Sequence, residues 1–496
     1  MQRRRILINA AMSVLQIVAT GAVLFLLYRF LLETIGVKKL GLWSLIMAST
    51  SVGQVANFGL TGSVVKFVAK YVALGEKDNV SDVVQTAIVS LAGFMGVISI
   101  LSYPFLKVLL QYIVEKEMIE LALLILPYAL ASFWLKILVS AFQSVLDGYQ
   151  RIDIRSAILT VGVILNLLLC VMLVPRYDLM GVAYAKIFQL FLTLVALWII
   201  LRLRMFLPLI RWKWSKECFL EMFKFGLKFQ AISITGMVYG PLTRALLSKF
   251  GDLSIVGYYE MASRLIQQFR ALLVSANRAL FPTIADLNER DPQKITSVYL
   301  ASYKLLFYLA LPMYSLLVIL LPIISQYWIG HYEEVFVFMG TLLSIALGVN
   351  TLAAPAFIVN LGTGRLNCNL ISRITIGCLN AALGLMLGAH FGGIGVVWAW
   401  GIAMVGGSSI IPLYYHKSNR VAISELWPKD IRPLTLICLA AVIIVITMRK
   451  IGNKDIFQLI IWCQILVVLV SVWFNPVRDQ LRKWIFGAFV RTKSVM

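Results

Sequence analysis

Lys136, Arg244 and Arg264 stand inside apolar runs long enough to cross a bilayer. A cation at that depth costs roughly 2.5 to 3.5 kcal/mol on insertion scales, so such residues face protein or a water-filled cavity. Lys136 shares one helical face with Ser132, Ser140, Gln143 and Asp147, since their spacings are three and four. Thr50, Gln54, Asn57 and Thr61 make a comparable stripe, and Glu260, Arg264, Gln267, Ser275 and Arg278 make another. Glu260 precedes Arg264 in the favourable i,i+4 order, which reads either as an intrahelical ion pair or as part of a polar cavity. A paired arginine still presents donors to a ligand. Upstream, Gly236, Gly240, Pro241 and Arg244 fall in one run, and Pro241 predicts a kink or break near Gly240 that reads as a hinge or as ordinary helix irregularity.

The elements that position these residues follow from composition. Of 496 residues, 60% are hydrophobic and only 14% charged, against roughly a quarter charged in an average soluble protein. Mean hydropathy is +0.87. The chain is therefore predicted to be an all-α polytopic membrane protein with about fourteen transmembrane helices of roughly 20 residues each. The expected crossings are 7–32, 40–63, 83–110, 118–146, 156–175, 179–203, 222–248, 252–282, 299–328, 334–361, 367–390, 393–415, 432–450 and 456–475. The run after Arg3, Arg4 and Arg5 is too long for a signal peptide and is read as an uncleaved first helix.

Lys and Arg placement orients the chain with both termini on the cytoplasmic side. Lys66, Arg151, Arg155 and Arg365 fall on that side, whereas Glu115, Glu117, Glu333 and Glu334 mark outer loops of about ten residues. The net charge of +22 is explained by this topology signal and by anionic headgroups, without nucleic acid. Gly384, Gly388 and Gly392 recur every four residues and predict a flat helix-packing surface.

Short glycine patterns recur in order. Gly36 to Gly41 returns as Gly251 to Gly257, Gly148-Tyr149-Gln150-Arg151 as Gly362-Thr363-Gly364-Arg365, and Gly181-Val182-Ala183 as Gly395-Val396-Val397. The offsets, all close to 215, agree within about two residues, which predicts two related halves. Enzyme chemistry finds little support. There is no GxxxxGK[ST] phosphate loop, and the scattered cysteines and three isolated histidines have no metal-type spacing, so no cofactor or metal is expected.

Gly36 to Gly41, Asn57-Phe58-Gly59-Leu60 followed by Lys66-Phe67-Val68-Ala69, the Gly148 to Arg151 turn, Phe281-Pro282-Thr283-Ile284-Ala285 and the Gly181 and Gly395 turns together resemble the polysaccharide branch of the multidrug, oligosaccharidyl-lipid and polysaccharide exporter superfamily. The resemblance spans essentially the whole chain. It implies two parallel six-helix lobes, 1–203 and 222–416, around a central cavity, with cytoplasmic connections at 204–221 and 417–431 and an additional helix pair and basic tail at 432–496. It also implies flipping of a polyprenyl-diphosphate-linked oligosaccharide for O-antigen, capsule or another surface polysaccharide, with membrane lipids, a polymerase and export machinery as partners. Asn57 stands where the family often has an aspartate, so that position offers no carboxylate for ion coupling.

A diphosphate cannot cross hydrocarbon exposed, and a cationic cavity replaces part of its hydration. Lys136, Arg244 and Arg264 are the principal expected phosphate ligands, joined by Arg278, Asn57, Gln54 and Gln267 along the cavity. Lys66, Arg151 and Arg365 are expected at the cytoplasmic mouth, Glu260 as a coupling carboxylate, and Gly240 and Pro241 as a hinge. A peptidoglycan-precursor flippase fits the same features. A drug or organic-cation exporter would favour acidic groups in its cavity, and a non-transporting membrane scaffold is the reading outside transport.

Overall fold

The computed structural model describes residues 2–57, 59–205, 214–278, 280–448 and 454–478, and its described side chains exclude those of 2–8, 10, 56, 228–238, 276–278, 281–283, 285 and 454. Arg278 of the expected site is among the excluded side chains. Every described element is helical, and nine of the described helices are long and apolar enough to cross a membrane.

Three of these nine are too long for one crossing. Helix α1 (Gln2–Ser51) holds 50 residues, roughly 75 Å if straight, against about 30 Å of hydrocarbon. It turns at Gly36 (φ 78°), as α5 (Ile152–Met205) does at Asp178 (φ 52°) and α12 (Asn367–Ser418) at Gly392 (φ 62°). Each is two crossings joined at a single reversed residue, which falls inside the short gap expected there, 33–39, 176–178 or 391–392. Over the described residues, each of the fourteen expected crossings lies on a helix, on consecutive helices or on one arm of such a hairpin. The chain is a multi-pass, all-α membrane protein.

By contact the chain divides into two compact units. The first contains 1–261 and 380–397. It is built from α1, a 3-10 turn at Val52–Asn57, α2 (Leu60–Leu74), α3 (Lys77–Ile113), α4 (Ile119–Gly148), α5, α6 (Lys216–Phe250), the first turns of α7 (Leu253–Arg278) and the middle of α12. An apolar cluster in it joins Phe67, Leu91, Met95, Phe133, Phe142, Leu146 and Leu197. The second unit contains 262–379 and 398–496. It holds the rest of α7 and α12, with α8 (Leu280–Arg290), α9 (Lys294–Ile329), α10 (Glu334–Leu352), α11 (Ala354–Gly362), α13 (Arg432–Met448) and α14 (Lys454–Phe474). Tyr299, Tyr303, Phe307, Tyr308 and Tyr415 lie in its core beside Leu434, Cys438 and Ala441 of α13.

The expected second crossing, 40–63, is not one helix. Its α-helical part ends at Ser51, tightens to 3-10 over Val52–Asn57 and restarts at Leu60 after Gly59, whose φ of 69° a side chain would resist. The stripe Thr50, Gln54, Asn57 and Thr61 is therefore broken across three elements. The glycine face of α12 also divides: Gly384 and Gly388 pack on Leu246 and Phe250 of α6, whereas Gly392 supplies the reversal. Around Gly240 and Pro241, α6 stays helical from Lys216 to Phe250, without the expected break.

The repeat is visible in backbone contacts. A Cβ on Gly181 would strike the carbonyl of Leu173, and a Cβ on Gly395 would strike that of Leu387, so each glycine packs on the residue eight places earlier across its own turn. The reversals at Asp178 and Gly392 keep the same offset of 214.

Candidate functional site

A buried polar cluster of the first unit is assembled from α1, α6 and α7. Arg244 directs Nη2 and Nε to Oε2 of Glu260 at 2.6 and 3.0 Å, and Nη1 to the carbonyl of Gly240 at 3.1 Å. Ser44 donates its hydroxyl to the same Oε2 at 2.9 Å, and Tyr28 donates to Oε1 at 3.3 Å. The guanidinium also lies 5.6 Å from the ring centre of Tyr259. Side-chain exposure is 14% for Arg244 and 3% for Glu260, so the ion pair is sequestered and its carboxylate is ringed by donors. Each partner sits seven to nine residues from Gly36 or Gly251, roughly 12 Å below those turns.

Above this node the same helices close at backbone distance. A Cβ on Gly41 would overlap the Leu253 carbonyl, and a Cβ on Gly257 would lie 2.6 Å from the Val37 carbonyl. Glu115 accepts from the Leu253 amide at 3.3 Å and pairs with Lys38 at 3.5 Å, Ser248 donates to the Ile113 carbonyl at 2.6 Å, and Lys39 pairs with Asp178. Gly251 and Gly393 leave room for one another, since a Cβ on either would meet the other's Cα at 3.2 to 3.3 Å.

The remaining expected residues fall into separate surroundings. Lys136 is exposed on α4, one turn from the buried Ser132. Lys66 is exposed and set over the ring of Phe225 at 3.8 Å. Arg151 is held in a fork by Asp153, with both bonds at 3.0 Å, and Asn9 bonds to the Gln150 carbonyl and the Asp153 amide beside it. Asn57 donates to Thr61 at 3.1 Å, while its side-chain oxygen is buried without a partner. Gln54 is half-buried in the same 3-10 turn.

In the second unit, Arg264 and Gln267 are exposed on α7, and Gln267 donates to Ser263 at 2.8 Å. Arg365 is exposed just after Gly364, whose φ is 74°. Six residues past Arg264 on the same helix, Arg270 donates to Asn350 at 2.7 Å, and Asn350 donates to Ser408 at 2.8 Å. No metal-type cluster occurs among the described residues.

Sequence reasoning missed Tyr28, Ser44 and Arg270, and also Lys186, which bonds Gln189 at 2.8 Å inside α5. Arg270 carried a signal, a cation in an apolar run. Tyr28 and Ser44 carry one only by register. They precede Arg244 and Glu260 by the same 216 positions that separate Gly41 from Gly257.

A family model described as polysaccharide biosynthesis protein matches residues 35–332. The chain belongs to this family. No curated protein matches it in sequence. Among solved structures, the family member superposes on the lipid II flippase MurJ in an inward closed conformation with a TM-score of 0.73 at 15% identity, over 96% of this chain and all of that one. An inward-facing multidrug resistance MATE transporter of the MOP superfamily gives 0.70 at 15% identity, over 80% of this chain and 94% of that one. A MOP superfamily transporter from Pyrococcus furiosus, described as having a binding pocket of reversed polarity, gives 0.59 at 15% identity over 83% and 95%. The fold is that of MOP superfamily transporters.

Proposed function

We propose that this chain flips a polyprenyl-diphosphate-linked oligosaccharide from the cytoplasmic to the outer leaflet of a bacterial inner membrane. The observation that carries this reading is the family match to polysaccharide biosynthesis proteins on a transporter fold. Its interior candidates are basic, as an anionic headgroup requires. Two six-helix lobes, 1–203 and 222–416, would wall a cavity that opens to either side in turn, with α13 and α14 as an added pair. Lys136 and Arg264, both exposed, are the proposed phosphate ligands, and planar donation makes Arg264 the better partner for a diphosphate. Asn57, Gln54 and Gln267 offer amides to sugar hydroxyls. Lys66, Arg151 and Arg365 lie on the side proposed as cytoplasmic, where Lys66 is the better placed to collect substrate because Asp153 already occupies Arg151. Glu260 is a weaker candidate for ion coupling than its position in sequence suggested, since both of its carboxylate oxygens already accept from Arg244, Ser44 or Tyr28. Gly240 and Pro241 are proposed to bend during the cycle.

The test is reconstitution with fluorescent polyprenyl-diphosphate oligosaccharides in vesicles, scored by protection from an impermeant quencher, with pH difference and membrane potential imposed separately. Flipping that requires the chain and weakens in Lys136→Ala supports the proposal. Equal flipping by empty vesicles would end it. Because the chain superposes on MurJ along nearly its whole length, the peptidoglycan precursor belongs in the same panel as the second reading.

A further inference from the structure

We propose that Tyr28, Ser44, Arg244 and Glu260 form a lock that holds shut the end of the first unit bearing Gly36 and Gly251, built so that it opens without ever separating its charges. The inference concerns a conformational step and rests on the chain opening at this end, whichever headgroup it carries.

The argument begins with register. Tyr28 and Arg244 are 216 positions apart, as are Ser44 and Glu260, Val37 and Leu253, and Gly41 and Gly257. The contacts obey the same rule. Gly41 packs on the Leu253 carbonyl and Gly257 on the Val37 carbonyl, which is the reciprocal pattern of a two-fold interface, here between two copies of a repeat. The node thus joins equivalent positions of the first copy (α1) and the second (α6 and α7). Its chemistry is unequal across that local axis: the first copy contributes two neutral hydroxyls, and the second contributes both charges.

This inequality decides what opening costs. If α1 withdraws from α6 and α7, Glu260 gives up Tyr28 and Ser44 and retains both bonds from Arg244. No ion is stranded in the membrane, where an unpaired charge would bar the movement. The hydroxyls are therefore the breakable half of the lock, and the ion pair is its fixed receptor. The glycine contacts above the node contribute closeness and no polar bond of their own, whereas Glu115 adds a second fastening through the Leu253 amide and Lys38. Sequestration of Arg244 fits a receptor that faces Ser44 and Tyr28 rather than a ligand waiting in water.

The experiment reads opening directly. Val256, fully buried beside Gly257, is replaced by cysteine in the full chain in proteoliposomes, and its reaction with a membrane-impermeant maleimide is measured above the background of the parent chain. Tyr28→Phe and Ser44→Ala each delete a hydroxyl and leave the Arg244–Glu260 pair intact. A hydrogen bond to a charged group corresponds to a factor of about ten or more, and the long Tyr28 bond to about five, in the ratio of closed to open chains. Labelling should rise by about those factors in the single variants and by roughly their product in the double variant. Ser63→Ala serves as control, because its hydroxyl joins α2 to the Met222 carbonyl of α6 at 2.7 Å, away from this node. Unchanged labelling in the folded double variant overturns the lock, and so does an equal rise in Ser63→Ala. Labelling needs no lipid-linked sugar, so failure of the lock and failure of the substrate assignment are separate results.

Discussion

Removing Arg244 alone should harm this protein more than removing Arg244 and Glu260 together. In Arg244→Met the Glu260 carboxylate stays 3% exposed by its surroundings and loses its two shortest guanidinium bonds, at 2.6 and 3.0 Å. Ser44 and Tyr28 remain, two neutral donors for a full charge. Taking away one member of a buried ion pair costs about 3 to 5 kcal/mol, whereas replacing both with apolar side chains of similar volume is often neutral or stabilising. Met and Leu keep the volume, so Arg244→Met/Glu260→Leu should recover most of what either single variant loses. With each single variant losing about 3 kcal/mol or more and the double close to the parent, the coupling between the two changes is about 5 kcal/mol or more, well above the scatter of about 0.5 kcal/mol seen for independent sites. The assay is thermal denaturation in detergent at one pH, with the surviving folded fraction quantified by size exclusion for the parent, both singles and the double. The expected order places the double near the parent and both singles well below. A double variant whose loss equals the sum of the singles would refute the reasoning, because it would mean the two side chains do not depend on one another.

Other outcomes follow from the same contacts. Gly41→Ala and Gly257→Ala should each lower the melting midpoint by driving a Cβ into an opposing backbone carbonyl, and both should raise labelling at position 256. Gly181→Ala and Gly395→Ala should be damaging to a similar degree, since each meets the carbonyl eight residues back, whereas Gly93→Ala, with nothing within 4 Å, should be neutral or gain about 0.5 to 1 kcal/mol. Lys136→Ala should reduce flipping several-fold without moving the melting midpoint, as substitution at an exposed position predicts. Cysteines introduced next to Arg151 and Arg365 should react from the cytoplasmic side and those next to Glu117 and Glu333 from outside; the opposite pattern reverses the topology.

Much of this architecture is legible without coordinates because membrane spans announce themselves by length and hydropathy. What composition could not show is how α1, α5 and α12 turn. A one-residue reversal at Asp178 needs a backbone conformation that aspartate adopts far less readily than glycine, and no local residue pattern marks it. The 3-10 passage at Val52–Asn57 was hidden for a related reason. Its residues keep the apolar spacing of a helix, and the interruption becomes readable only through Gly53, packed 3.0 Å from the Phe133 ring by a hypothetical Cβ, and Gly59, which lies against the backbone of Gly226. The site was legible in part. Arg244, Arg264 and Lys136 were visible as costly cations, and Glu260 as a carboxylate out of place. The partnership of Glu260 with Arg244 was not visible, because it joins two helices, and sequence spacing ranks neighbours on one helix only. Tyr28 and Ser44 are ordinary membrane-helix residues until the repeat offset is applied to them.

The unequal chemistry of the two copies around Gly41 and Gly257 bears on ancestry. A protein assembled from two identical chains must present the same side chain at both equivalent positions. With hydroxyls there it would have no charge at all, and with Arg and Glu in both it would crowd four ions onto one axis. Only copies that change independently can have Tyr28 and Ser44 on one side while the other holds Arg244 and Glu260. The unequal lock therefore belongs to a repeat whose two copies have diverged at the positions that meet.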